Sequence, residues 1–136
     1  MRHSYFLALR AEAYLRAGQR DESLAAVDQA LDFVRESGER WWEAEVYRLR
    51  GEVLLARRAR DRSNAEECFR RALRVARKQT ARSLELRAAT SLARLWRKQG
   101  KRAEAHDLLA PVYGWFTEGF DTPDLIDAKA LLDALS

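Results

Sequence analysis

The sequence predicts an all-α protein built as a stack of helical hairpins. One pattern of small and bulky apolar residues returns three times. It is carried by Ala11, Tyr14, Gly18, Ser23, Val27 and Ala30, then by Gly51, Leu54, Ala65, Phe69 and Ala72, and finally by Ala93, Trp96, Gly100, Ala105, Leu109 and Val112. The period is 40 residues from Tyr14 to Leu54 and 42 from Leu54 to Trp96. A repeat of that length is one helix-turn-helix unit, which buries its apolar face only by stacking on a neighbour. Composition agrees: 136 residues hold two prolines and six glycines, so few positions break a helix. No run alternates with period two for long enough to form a sheet strand.

The first helix is read over 3–17, with Leu7, Ala11 and Tyr14 as its buried stripe. Gly18 stops it by adopting a left-handed conformation. The second runs from Asp21 to Ser37, with Leu24, Val27, Leu31 and Val34 inward, Asp21 as its N-cap and Gly38 as its end. The third spans Arg40 to Arg58 and carries Trp41, Trp42, Val46, Tyr47, Leu54 and Leu55. Gly51 inside it costs about 1 kcal/mol of helix propensity relative to Ala. Its alignment with Ala11 and Ala93 explains the tolerance, because a neighbouring helix must come close there.

An Arg-rich loop follows over 57–63. Ser63 and Glu66 have the spacing of a capping box opening the fourth helix, which turns Ala65, Phe69, Ala72, Leu73 and Ala76 inward and Arg70, Arg71, Arg74, Arg77 and Lys78 outward. The fifth helix covers 81–99, with Leu84, Ala88, Ala89, Leu92, Leu95 and Trp96 apolar, and Gly100 ends it. The sixth covers 102–116, with Ala105, Leu108, Leu109 and Val112 inward and a kink or early break expected at Pro111. A loop over 114–120 holds Trp115, Phe116 and Phe120. Thr122 then N-caps a last helix, with Pro123 at a favourable first position and Leu125, Ala128, Leu131 and Leu132 along one side. The units are thus 3–37, 40–79 and 81–116, with a capping helix over 123–135. No linker rich in Gly, Ser or Pro divides them, so a single domain over 1–136 is expected.

Charge is distributed unevenly. Residues 57–102 hold 16 Lys and Arg against 4 Asp and Glu, leaving 9 basic and 17 acidic residues elsewhere, although the net charge is only +4. Such a segment is either a set of solvated helix faces or a surface for nucleic acid or an acidic partner. Cys68 is the only cysteine, so no internal disulfide forms. Met1–Arg10 is too short in apolar residues for a signal sequence, and nothing approaches the roughly 20 apolar residues of a membrane span. A cytoplasmic protein without membrane attachment is expected.

The aligned positions resemble the tetratricopeptide repeat family, which places small residues at two points of each hairpin, large ones at helix contacts and a glycine between the helices. Gly18 and Gly100 match that glycine. The second unit departs, with a loop two residues longer and no equivalent glycine. The resemblance implies a right-handed superhelical stack of about three hairpins plus the C-terminal helix. Glu39-Arg-Trp-Trp-Glu-Ala-Glu-Val-Tyr-Arg-Leu-Arg-Gly-Glu, Ala65-Glu-Glu-Cys-Phe-Arg-Arg-Ala-Leu, Ser83-Leu-Glu-Leu-Arg-Ala-Ala and the stretch from Leu109 to Leu125 are similar to the C-terminal repeats of large bacterial signalling proteins. Those proteins join a nucleotide cyclase domain or a DNA-binding region to a regulatory ATPase. That similarity implies a regulatory context, with other domains of a larger chain as partners. It implies no activity, since no Gly-rich phosphate loop and no cyclase segment is present.

Residues able to do chemistry do not converge. Cys68 beside Phe69 reads as a small core residue. His106 and Asp107 are adjacent and so diverge on a helix, and His3 sits near the terminus. Glu43 with Glu45, and Glu66 with Glu67, lack the convergence that acid–base catalysis needs. No spacing fits a metal site, so no catalytic residue, cofactor or metal is expected. The leading function is protein or peptide binding on the surface lined by the first helix of each hairpin. The candidates there are Arg10, Arg48, Arg50, Arg87 and Arg94, which would clamp carboxylates, and Trp41. Trp41 and Trp42 fall about 100° apart if both are helical, which leaves one exposed as an anchor. The alternatives are nucleic-acid binding through the Arg57–Arg102 segment, and a structural or self-associating module.

Overall fold

A computed structural model describes residues 3–38 and 40–136; Met1, Arg2 and Glu39, and the side chains of His3, Ser4 and Ala59, lie outside the described set. Glu39 opens one of the stretches quoted above and His3 is one of the residues weighed, so neither reading is tested. The described residues form helices α1 (His3–Arg16), α2 (Arg20–Ser37), α3 (Glu43–Arg57), α4 (Arg62–Lys78), α5 (Arg82–Lys98), α6 (Arg102–Gly114) and α7 (Pro123–Leu135), with a 3-10 turn at Ala59–Asp61 and no strand. This is the expected all-α hairpin stack.

The first and third hairpins close by a shared mechanism, whereas the α3–α4 turn runs through an extended Arg58 and the 3-10 turn. After α1, Gly18 adopts φ +77° and the Gln19 N–H donates to the Tyr14 carbonyl at 2.8 Å. After α5, Gly100 adopts φ +81° and the Lys101 N–H donates to the Trp96 carbonyl at 2.8 Å. Both satisfy carbonyls that the helix end leaves open. Thr80 closes α4 the same way at φ 54°, with the Ala81 N–H on the Ala76 carbonyl at 2.9 Å.

The small residues of the repeat sit where helices touch. Ala11, Ala30, Ala65, Ala72, Ala93 and Ala105 are fully buried. Ser23, also fully buried, donates its hydroxyl to the Ala11 carbonyl at 2.6 Å and ties α2 to α1. Gly51 packs directly on the Phe69 ring: a Cβ there would lie 2.5 Å from Cε1 and 2.8 Å from Cδ1. One cluster of buried apolar residues runs from Ala8 of α1 to Leu135 of α7.

The first helices form one layer, with α1 against α3, α3 against α5 and α5 against α7. Among the described residues, no Cα atoms of the second helices α2, α4 and α6 come within 8 Å of one another. They splay apart, so the stack curves with the odd-numbered helices on its inner side.

Several local expectations are corrected. Helix α3 begins at Glu43, so Trp41 and Trp42 stand in the turn before it and not a helical step apart. The chain ahead of Glu43 is held instead by aromatic packing: Trp41 stacks on Tyr5 at 5.7 Å and lies 5.2 Å from Trp42. Asp21 is not a cap, because α2 starts one residue earlier; its carboxylate accepts from Arg57 Nε at 3.1 Å. The Ser63–Glu66 capping box does not form, since α4 starts at Arg62, and Glu66 accepts from Arg70 at 3.0 Å, one turn on. Thr122 occupies the N-cap position before Pro123 but makes no side-chain cap bond. Pro111 does not break α6, which continues to Gly114.

Candidate functional site

On the inner layer, α3, α5 and α7 bring charged side chains together. Arg48 of α3 grips Glu45 one turn back through Nε and Nη2, both at 2.8 Å. Glu45 is 3% exposed, and the same carboxylate takes Arg87 of α5 at 2.9 Å. Arg48 also reaches across to Ser91 Oγ at 3.4 Å, and Arg87 lies 3.7 Å from Asp124 of α7. Burial works against the Arg48 charge, but the Glu45 carboxylate outweighs it and holds the guanidinium above its ordinary value. A planar fork matched to a carboxylate is the geometry that makes such a pair directional.

Beside this brace lies a cavity of about 80 Å³ lined by Arg48, Arg87, Thr90, Ser91, Arg94, Asp124 and Asp127. Arg94 forms no ion pair among the described residues. Its neighbour Glu52 is half-buried. Burial pushes the Glu52 carboxyl above the usual carboxylate range, against the pull of Arg48, Arg94 and Lys98. The inner surface thus carries locked cations at Arg48 and Arg87 and an unlocked one at Arg94.

The candidate residues separate into three places. Arg48, Arg87 and Arg94 share the inner cavity. Arg50 does not: its Nε donates to Asp28 of α2 at 3.0 Å and its Nη1 to Cys68 Sγ of α4 at 3.4 Å. It therefore floors a cleft of about 520 Å³ between the splayed α2 and α4, on the far side of α3. Arg10 is exposed on α1, 40 residues ahead of Arg50 and so at the same register. Trp41, 44% exposed, belongs with Tyr5 at the end of the stack. Cys68 is buried, as read.

The outward cations of α4 are largely compensated. Arg70 pairs with Glu66 at 2.9 Å, Arg71 and Arg74 with Glu67 at 3.7 and 3.2 Å, and Arg77 with Glu85 at 3.0 Å. Arg70 also lies over the Trp96 ring and Arg71 over Tyr47. The outer face of this helix is not a bare basic stripe.

Sequence reading missed Glu45, Glu52, Ser91, Asp124 and Asp127. The repeat contained a signal for the first two. Shifted by the 42-residue period, Glu45 falls on Arg87 and Glu52 on Arg94. Equivalent positions on adjacent first helices thus carry opposite charges and face each other.

Stacked hairpins with a shared apolar core and a charged inner layer define a helical-repeat scaffold, a class whose function is carried by its surface. Residues 4–78 match the tetratricopeptide repeat family. That span is more than half of the chain, and the protein belongs to this family of protein-interaction scaffolds. No curated protein and no solved structure matches the chain.

Proposed function

We propose that the protein is a non-catalytic, cytoplasmic binding module that takes an acidic protein segment on its inner surface. The observation that carries this reading is the convergence of Arg48, Arg87 and Arg94 on one inner cavity, with Arg94 unpaired among the described residues. Arg48 and Arg87 hold α3, α5 and α7 in register through Glu45 and Asp124, and Arg94 receives the incoming carboxylate. Ser91 and Thr90 add hydroxyls beside it. The similarity of the quoted stretches to the tails of bacterial signalling proteins supports a regulatory role beside a cyclase- or transcription-associated ATPase. No helix among the described residues is long and apolar enough to cross a membrane.

The test is selection from a randomised peptide library, followed by calorimetry on the selected peptides. Peptides rich in Asp and Glu are expected. Arg94→Glu should turn the preference toward Lys and Arg, while Arg71→Glu on the outer side should leave it unchanged. Selection of uncharged peptides, or a switch produced equally by both variants, contradicts the reading.

A further inference from the structure

Antiparallel hairpins whose first helices lie side by side place all their internal turns on one edge of the stack. The Arg57–Asp21 pair at 3.1 Å joins the first two of these turns directly. A cleft of about 460 Å³ opens between them, lined by Arg20, Asp21, Glu22, Arg57 and Arg58 together with Gly18 and Gln19. The third turn sits beside the second, because α3 packs on α5.

The second and third turns are net basic, and the first sets Arg16 and Arg20 against Asp21 and Glu22. The first carries Arg16 and Arg20, the second Arg57, Arg58, Arg60 and Arg62, and the third Arg97, Lys98, Lys101 and Arg102. Arg16 is held by Glu12, Arg57 by Asp21, and Arg102 donates to the Ala134 carbonyl. The others are exposed and form no ion pair among the described residues. Asp21, Glu22, Asp61 and Glu104 are the acidic residues within these turns, and the C-terminal end of α7 meets the edge at Arg102.

Cations in the last turns of α1, α3 and α5 have a structural reason, since they complement the negative ends of those helices. The same reason fails for the second helices. Helices α2, α4 and α6 each begin with arginine, at Arg20, Arg62 and Arg102, and none has a side-chain cap. Helix α4 has no acidic residue in its first turn at all. A positive side chain at the positive end of a helix is electrostatically disfavoured, yet Arg20 and Arg62 stand there with no ion pair among the described residues, while Arg102 is accounted for by the carbonyl it binds at the end of α7. The opposite edge differs: Arg40 is paired with Glu43 at 3.0 Å, and Arg77 and Arg82 share Glu85 at 3.0 and 3.4 Å.

We propose that this turn edge binds a nucleic-acid duplex through its phosphates. Adjacent helices pack about 8–10 Å apart, so the three turns span roughly 20 Å, a length over which a duplex presents about a dozen phosphates. Arginine dominates the edge, and its fork suits phosphate oxygens. The exposed large apolar residues Phe6, Leu9, Trp41, Trp115, Phe120 and Ile126 all lie outside these turns. The edge therefore lacks the apolar centre of a protein interface, the wedge that enters a membrane surface and the aromatic platform that stacks single-stranded bases. Binding is independent of sequence, because phosphate contacts carry no base information.

Fluorescence anisotropy with a labelled DNA duplex of about 20 base pairs, at salt from ~50 to ~200 mM, tests this. The full chain should bind with an affinity falling steeply with salt. Arg20→Gln, Arg58→Gln, Arg62→Gln and Lys101→Gln combined should flatten the slope of log K against log salt by about three to four. Arg70→Gln, Arg71→Gln and Arg74→Gln combined, which remove similar charge from the outer face of α4, should change it by less than about one. Circular dichroism checks folding, and the pairs Arg20→Gln/Arg58→Gln and Arg62→Gln/Lys101→Gln should each give about half the effect. The proposal is overturned by absence of duplex binding at the lowest salt, by equal losses in the two sets, or by tighter edge-dependent binding to polyglutamate or to anionic phosphatidylserine vesicles at the same salt.

Discussion

Gly51→Ala tests the register of the repeat. In an open helix the change gains about 1 kcal/mol. Here the new Cβ would sit 2.5, 2.8 and 3.0 Å from three carbons of the Phe69 ring. That ring is fully buried, and on α4 it is flanked by the equally buried Ala65 and Ala72, so it has no solvent side to retreat to. Overpacking of this kind costs about 1–3 kcal/mol. The balance is a net loss of about 1 kcal/mol, or roughly 4 °C in Tm for a chain of this size. Guanidinium unfolding followed by circular dichroism measures it. Phe69→Leu shortens the obstructing side chain, so the double variant should be more stable than the sum of the singles by about 1 kcal/mol or more. Gly114→Ala, where no atom lies within 4 Å of the new Cβ, should stabilise by a few tenths of a kcal/mol. A Gly51→Ala protein that gains about 1 kcal/mol, with no coupling to Phe69, would refute the close approach of α3 and α4.

Other expectations follow from the same geometry. Glu45→Gln leaves the half-buried Arg48 and its neighbour Arg87 without their shared, buried carboxylate and should cost about 3 kcal/mol in chemical unfolding. Glu52 has a folded-state pKa raised above its unfolded value, so folding favours its protonated form. Its contribution is fully present below the unfolded pKa and is lost as pH rises through the folded one. Glu52→Gln should therefore gain stability relative to wild type between mildly acidic and neutral pH, seen as diverging Tm curves. Thr80→Gly relieves a β-branched residue of its left-handed backbone and should stabilise by about 1 kcal/mol. Arg62→Glu should stabilise by about 0.3–1 kcal/mol, because an acid replaces a cation at the start of α4; the same change should weaken duplex binding.

The fold was legible because its determinants are local and periodic. Small residues spaced by 40 and 42 positions marked helix contacts, and Gly18, Gly38 and Gly100 marked ends; each adopts the left-handed conformation expected of it. Capping was less legible. Asp21 and Ser63 had suitable side chains, but α2 and α4 start ahead of them, and Arg57 competed for the Asp21 carboxylate; Thr122 stands at the N-cap without making a side-chain bond. The two tryptophans were read as helical because nothing local stops a helix at Trp42. What holds them in the turn is a distant aromatic, Tyr5. The inner surface was half legible. Arg48, Arg87 and Arg94 followed from helical phase, but Arg50, two residues from Arg48, points to the opposite side of α3. The acidic partners emerge only when the repeats are laid on one another, because the pairing is between helices and not along them.

Site-specific photocrosslinking tests whether the inner surface of the stack receives an acidic segment. A photoreactive side chain replaces Asp127, which lines the inner cavity, or Arg74, which is exposed on the outer face of α4. Each protein is irradiated with the tightest acidic peptide from the selection. Crosslinking is expected from position 127, abolished by Arg94→Glu, and none from position 74. Crosslinking from position 74 with none from 127 would contradict it.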